Sequence, residues 1–483
     1  MKPSSLGLFF GVVTSAAMLG ACGSEMEEPS APPTYGGVAP GDGQSPNGVP
    51  TPPAPGATST PNDTGSATPP ATGSTGEGNP DVTGVDGTGA MPGGMTSGTN
   101  TGTPPTTTPP DTTPPDTTTP PETTPPVTPP VTTPPVTPGA AEPTDCVIPP
   151  VIARPIGYGA ATTGGGNAAA VVVNSFEAAQ AALDAYRDAF DDGTQNALVI
   201  RYTGTFNFAS ITDVCAQHEK DAQILEIKEM ENVTFEGAPG SSGNFGLHIN
   251  RAKNVIVRNM TLGLLPGGGD SDAITIEGNG TNGDVENVWI DHNELFSSTK
   301  DDCEGAGDTE FDGLIDIKKG ARRITISYNY LHDHQKTGLI GFSDDDDTER
   351  FVTFHHNRYQ NVVSRTPLHR FGFVHLFNNY YGNITSSGIN VRMGGVALIE
   401  SNFFENALNP ITSRYSEEAG FWDLRNNHVG PGITWNVEED TLANADNWQS
   451  TTTFPANQLN YAYTPDRAGC IKQIVFAQAG AKL

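Results

Sequence analysis

The sequence predicts an all-β fold, a parallel β-helix carried on a disordered Pro/Thr-rich stalk. Three observations predict it. First, alternating apolar residues followed by Asn and an aromatic or Leu recur in "VENVWIDHNELF", "ARRITISYNYLHDH", "RFVTFHHNRYQNV", "FVHLFNNYYGN" and "ALIESNFFENA". Their asparagines are Asn293, Asn329, Asn357, Asn379 and Asn402, at steps of 36, 28, 22 and 23. Second, "MENVTFEG" and "AKNVIVRNMTLG" carry the same unit earlier, with Val233 and Val255 separated by 22. Third, the composition changes abruptly near residue 145, from Pro, Thr, Gly and Ser to an ordinary globular mixture.

The chain begins "MKPSSLGLFFGVVTSAAMLGACGSE". Lys2 supplies a positive start, Leu6 to Leu19 form a short apolar core, and small residues close it at "LGAC". The run is too short to anchor across a bilayer and reads as an export signal over 1–21. A cysteine directly after Leu-Gly-Ala resembles the bacterial lipobox, which implies lipidation at Cys22. The alternative is a secretory signal with an incidental cysteine. Both place the mature chain outside the cytoplasm, secreted or held at the outer membrane or cell surface. The lipid on Cys22 is the one membrane contact expected.

Residues 22–145 lack the apolar content needed to offset ordering entropy. The stretch "TPPTTTPPDTTPPDTTTPPETTPPVTPPVTTPPVTP" favours extended polyproline II, spanning on the order of 110 Å at ~3.1 Å per residue. Of the 55 acidic residues of the chain, 13 lie here, with no Lys or Arg.

Residues 146–483 form the folded unit. It keeps an acidic excess, which excludes nucleic acid as a partner. An anionic ligand stays open, because divalent cations bridge like charges. With Cys22 set aside, Cys146, Cys215, Cys303 and Cys470 remain. An even number in an exported domain implies two disulfides, with three possible connectivities. A monomer is expected.

A period near 22 with a short strand per unit indicates a solenoid. It is too short for a propeller blade and lacks the helical half of most leucine-rich repeats. Asn at a fixed place in each rung can stack its amides along the axis, as in cross-β structures. The longer steps of 36 and 28 place insertions in neighbouring rungs, "SSTKDDCEGAGDTEFDGLIDIKKG" and "DHQKTGLIGFSDDDDTER". Insertions in solenoids gather on one face, often the binding face.

"GGGDSDAITI" places Asp270 and Asp272 two apart, and "EFDGLIDIKKG" places Asp312 and Asp316 four apart. In an extended strand i, i+2 and i+4 share a face, so stacked rungs can bring these carboxylates together. Four converging carboxylates need a cation, and an all-oxygen set suits Ca²⁺ better than zinc or copper. Solvated aspartates in an acidic loop are the alternative. Lys318 shares the face of Asp316, Lys336 heads the next loop, and Arg365 and Arg370 follow a rung later in "SRTPLHRF". Acidic and basic patches on adjacent rungs suit an anionic polymer. Asp291 and His292 read as a core hydrogen-bond network on another face over an acid–base pair, the acidic run in "SDDDDTER" as a solvated loop tip over a second calcium site, and His355, His356, His369 and His375 show no ligand spacing.

"GGGDSDAITI", "VWIDHNELF", "DGLIDIKKG", "DHQKTGLIG" and "SRTPLHRFG", in this order, resemble the pectate lyases of polysaccharide lyase family 1 over about residues 150–470. The resemblance implies a right-handed β-helix acting on polygalacturonate. It implies Asp270, Asp272, Asp312 and Asp316 as calcium ligands, Lys336 and Arg370 as contacts to the substrate carboxylate, and Arg365 as the catalytic base, with Lys336 the next candidate for that role. Lys318, Arg392 in "NVRMGG" and Tyr415 in "TSRYSEE" match further cleft positions. It pairs Cys215 with Cys303, leaving Cys146 with Cys470, whose amino-terminal counterpart has no match in the family. The implied reaction is β-elimination: Ca²⁺ and lysine neutralise the carboxylate beside the C5 proton, a base removes it, and the C4–O4 bond breaks. The alternatives are a pectin lyase acting on methyl-esterified polymer, which has no need of the four aspartates, and an inactive tethered polysaccharide-binding β-helix.

Overall fold

A computed structural model describes residues 136–139, 141–268, 271–300, 302–303 and 311–483. The signal, Cys22, most of the stalk and Asp270 lie outside the described residues. A backbone strand, Val136–Pro138, pairs in parallel with Asn427–Val429, so the last part of the segment read as stalk carries a strand.

Each repeat folds because of a bend with its own chemistry. The residue before each ladder asparagine takes a left-handed backbone: His292, Tyr328, His356, Asn378, Ser401 and Asn426 have φ between 51° and 56°. Non-glycine residues adopt this region at a cost of ~1–2 kcal/mol. The following asparagine offsets it. Asn293 Nδ2 donates to Asn329 Oδ1 (3.0 Å), Asn329 to Asn357 (3.0 Å), Asn357 to Asn379 (2.9 Å), Asn379 to Asn402 (3.1 Å) and Asn402 to Asn427 (3.1 Å). The expected amide ladder is present and runs one rung further, to Asn427.

Between bends, strands stack into three sheets of nine, nine and ten strands among the described residues. Neighbours are parallel except at Ile411–Arg414, which meets Thr441–Asn444 in antiparallel. The result is a right-handed parallel β-helix. Val233, Val255, Val288, Ile324, Val352, Val374 and Ala397 stack in register and are fully buried. Truncating an interior aliphatic such as Ile324 to Ala would cost ~2–5 kcal/mol. The amino-terminal end carries a helix, Phe176–Asp191, which buries Ala179, Leu183 and Tyr186 and is capped by Ser175, whose Oγ accepts from the Ala178 amide (3.2 Å). Its short apolar stripe lies outside the 22-residue repeat. Cys215 bonds to Cys303 and Cys146 to Cys470, with Cα separations of 5.3 and 5.5 Å. No helix among the described residues is long and apolar enough to cross a membrane.

Candidate active site

One sheet carries the site. Its strands include Ile274–Glu277, Ile315–Lys318, Gly338–Ile340, Leu368–Arg370, Ile389–Arg392 and Ile411–Arg414. Alternation along Ile315–Lys318 sends Ile315 and Ile317 into the core and leaves Asp316 and Lys318 on the outer face. Carboxylate oxygens of Asp272, Asp312 and Asp316 all lie within 4.8 Å of one another. Asp272 Oδ1 accepts from the Gly313 amide (2.8 Å), and its Oδ2 from Thr275 Oγ1 (2.8 Å). A Cβ at Gly313 would stand 2.2 Å from Asp316 Oδ1 and 2.9 Å from Asp272 Oδ1, so the approach of the carboxylates requires glycine here. His334 Nε2 donates to the Asp312 carbonyl, and burial drives its imidazole down to about 4.

The electrostatics are those of a crowded anionic site. Burial, then the Asp272 charge, pushes Asp312 up to about 6, and the same two causes raise Asp316 well above the carboxylate range. Lys318 Nζ lies 2.8 Å from Asp272 Oδ2 and 3.1 Å from Asp316 Oδ2. Burial works against its charge, but Asp316 and Asp272 outweigh it and raise the ammonium above the ordinary lysine value.

The basic residues stand on the following rungs. Lys336 ends the strand Tyr330–Lys336 opposite Ser364, and its charge reaches Asp312. Arg365 follows that partner strand in a left-handed conformation, φ 63°, before a cis Thr366–Pro367 bond. Among the described residues Arg365 forms no ion pair. Burial holds its guanidinium below the usual arginine range, and Arg370 acts in the same direction against the pull of Asp316 and Asp312. Arg370 and Arg392 sit opposite one another on adjacent strands. Arg392 is buried, and burial with the Arg370 and Arg365 charges brings it down to about 9. Tyr415 is half exposed, and its hydroxyl donates to Glu438 Oε2 (3.0 Å).

The structure therefore brings Asp272, Asp312, Asp316, Lys318, Lys336 and Arg365 into one electrostatic neighbourhood, with Arg370 and Arg392 beside it. Tyr415 stands a strand further along. Sequence reasoning missed three residues that contact the predicted site residues. Arg370 Nε is 2.6 Å from Asp344 Oδ1 and its Nη1 donates to the Gly341 carbonyl (2.8 Å). The run around Asp344 is thus only partly a solvated tip. Asp346 is buried, paired with Arg350 (2.6 Å) and accepting from the Lys319 amide (3.0 Å), while Asp345 and Asp347 face solvent. Arg414 and Glu438 are the other two. An arginine directly before Tyr415 in "TSRY" was the available signal for Arg414, and nothing in the local pattern marks Glu438.

Asp291 and His292 form the expected core network: His292 Nδ1 lies 2.8 Å from Asp291 Oδ2, and Ser327 donates to Asp291 Oδ1 (2.7 Å). A depression of about 760 Å³, lined by Ser210, Asp213, Gln217, Lys220 and Asn244, does not include the carboxylate cluster.

The sequence profile described as pectate lyase matches residues 149–483. The chain belongs to the pectate lyase family. Pectate lyase 3 of Pectobacterium atrosepticum is 43% identical over 363 residues, covering 71% of this chain and 92% of that protein. Pectate lyase II of Xanthomonas campestris, a solved structure, is 51% identical with a TM-score of 0.64, over 68% of this chain and 98% of that one. Pectate lyase C of Erwinia chrysanthemi, solved at pH 9.5 with Ca²⁺, is 40% identical with a TM-score of 0.60, over 67% of this chain and 95% of that one. The chain is accordingly a polysaccharide lyase, and the profile leaves residues 1–148 unmatched.

Proposed function

We propose that this enzyme cleaves polygalacturonate by calcium-dependent β-elimination, with Arg365 as the base. The observation that carries the reading is the placement of Arg365. In a pectate lyase, a half-buried arginine without an ion pair among the described residues, its charged form disfavoured, stands within electrostatic reach of three converging carboxylates.

The donor set fits calcium. Asp272, Asp312 and Asp316 offer hard oxygen ligands, and the raised affinity of Asp312 and Asp316 for protons marks a site lacking positive charge. Asp270, two residues before Asp272, completes the proposed set. When bound, the ion would supply Lewis-acid neutralisation of the uronate carboxylate, acidifying the neighbouring C5 proton.

The chain's own residues do the rest. Lys318, Lys336, Arg370 and Arg392 bind and orient uronate carboxylates through charge-assisted hydrogen bonds, and Tyr415 lines the cleft. Arginine is ordinarily a permanent cation, titrating above ~12. Burial and neighbouring cations raise the small neutral fraction of Arg365 that can act as a base. Neutral Arg365 accepts the C5 proton, the C–H electron pair forms the C4=C5 double bond, and the C4–O4 bond breaks. The departing oxygen takes a proton from solvent, and Arg365 returns its own. No water attacks the sugar, unlike two-carboxylate hydrolysis. A solved pectate lyase from Bacillus sp. N165, 26% identical, holds trigalacturonate, which supports the substrate class.

The test is ultraviolet absorbance of the unsaturated product on polygalacturonate, with and without chelator. Chelator-sensitive absorbance supports the reading. Equal activity on fully methyl-esterified pectin in chelator would favour a pectin lyase, and binding without product an inactive module.

Two disulfides fit an oxidising compartment outside the cytoplasm. Export with lipidation at Cys22 is proposed on the lipobox. Incorporation of labelled fatty acid, abolished by Cys22→Ser, checks it.

A further inference from the structure

The basic face does not end at Arg392. The strand Ile389–Arg392 pairs in parallel with Ile411–Arg414, Asn390 lying opposite Thr412. Alternation along both strands puts Ile389, Val391 and Ile411 in the core and carries Arg392 and Arg414 on the outer side. Asn390 fixes the approach: its Oδ1 accepts from the Arg414 amide (3.1 Å) and its Nδ2 donates to the Arg414 carbonyl (3.3 Å). The Arg414 charge lowers Arg392 together with Arg370 and Arg365, so the four guanidinium groups share one field. Arg370, Arg392 and Arg414 thus form a row across three neighbouring strands, spaced at ~4.7–4.9 Å per strand.

The two ends of the row are occupied alike. Asp344 Oδ1 lies 2.6 Å from Arg370 Nε, and Glu438 Oε2 pairs with Arg414 Nη2. Arg392, between them, forms no ion pair among the described residues and leaves its buried Nε unpartnered. Arg414 is 2% exposed, yet its Nε and Nη1 are also unpartnered, so Glu438 meets only one edge of a guanidinium built for two-pronged carboxylate contact. Its cover is light. Glu438 belongs to the stretch 436–440, exposed at every residue, and Tyr415, over whose ring the Arg414 guanidinium lies at 4.4 Å, is half exposed.

We propose that Arg414 is a further carboxylate-binding residue of the cleft, one strand beyond Arg392, and that the Glu438 carboxylate occupies it until a uronate carboxylate displaces it. The inference rests on the polygalacturonate reading and extends it: a polymer with one carboxylate per sugar can engage successive guanidinium groups, and Glu438 sets how readily the outermost is gained. A buried arginine whose resident partner is an exposed carboxylate exchanges one charge-assisted pair for another, so the exchange costs little net desolvation.

Steady-state kinetics on oligogalacturonates of increasing length test this. E438Q keeps hydrogen-bonding atoms near Arg414 and Tyr415 but removes the competing charge. It should lower KM for long substrates roughly five-fold, with the effect shrinking as the substrate shortens, about 1 kcal/mol at the long end. R414K should do the opposite, reducing the long-to-short ratio of kcat/KM roughly ten-fold. A purely structural pair predicts that both variants lower the melting temperature and depress all lengths alike. That result, or an E438Q KM unchanged or raised in an active enzyme, overturns the proposal. Absence of lyase activity in the unsubstituted enzyme overturns the polygalacturonate reading and this one with it.

Discussion

The Lys318 ammonium stands 2.8 Å from the Asp272 carboxylate, on the face where Asp312 and Asp316 converge. A lysine in this position neutralises part of the cluster without metal and leaves room for more positive charge. Removing it should expose the repulsion. Lys318→Met is expected to lower the melting temperature in chelator, as loss of one partner of a buried pair costs ~3–5 kcal/mol. The calcium-induced rise in melting temperature should exceed that of the unsubstituted enzyme. Equal calcium-induced rises, measured by thermal denaturation, would show that Lys318 does not share the carboxylates with the ion.

Calcium dependence should map onto the buried cluster and not onto acidity in general. Asp316→Ala is expected to raise the calcium concentration for half-maximal activity by ten-fold or more, at ~1.4 kcal/mol per decade. Asp345→Ala, at an exposed position of the neighbouring insertion, should leave it within about two-fold. Full activity of the unsubstituted enzyme in excess chelator would remove the metal from the account.

The buried histidines predict an acid limit to stability. His369 is fully buried beside Arg370, and burial brings its imidazole down to about 3. Its folded pKa is depressed, so the neutral form is favoured in the fold. Its contribution is fully present above the unfolded value of ~6.5. It is lost as pH falls from there toward 3, at up to ~1.4 kcal/mol per pH unit. His369→Asn should flatten the fall in stability between pH 6 and 4, followed by denaturant titration at several pH values. An unchanged slope would assign the acid limit to other groups.

The backbone pairing of Val136–Pro138 with Asn427–Val429 gives the end of the segment read as stalk a place in the sheet. Deleting 23–134 should leave melting temperature and specific activity of the soluble enzyme unchanged. Deleting 23–140 also removes that strand and the Gly139 amide bond to the Val429 carbonyl (3.1 Å), and should lower the melting temperature by a few degrees. Equal melting temperatures of the two truncations would show that the strand adds nothing.

What was legible in the sequence followed from periodicity. A 22-residue repeat must bring residues one rung apart side by side, so Asn357 and Asn379 were bound to meet, and they do at 2.9 Å. Strand parity likewise put Asp316 and Lys318 on one face, whereas Asp272 precedes the strand Ile274–Glu277, in which Thr275 is the residue opposite Asp316, and joins the cluster from the turn. What stayed hidden depended on the turns between strands. Asp344 reaches Arg370, and Asp346 folds inward onto Arg350, because the loop doubles back over the sheet. Nothing in a run of four aspartates distinguishes the two that face inward from the two that face solvent. Glu438 reaches Arg414 from the stretch just before the antiparallel strand Thr441–Asn444, outside the repeat altogether. The disulfide Cys146–Cys470 closes 324 residues of chain, a separation at which local pattern carries no information.

The central claim is that Arg365 removes the C5 proton. Arg365→Lys keeps a positive charge but changes reach and donor geometry. The direct measurement is kcat and KM of this variant on polygalacturonate, together with its binding of polygalacturonate and calcium. The account predicts a fall in kcat of two to four orders of magnitude, the ~10²–10⁴ range of general base catalysis, with binding retained. A near-normal kcat with a raised KM would contradict it, leaving Arg365 as an anchor and Lys336 as the next candidate for the base.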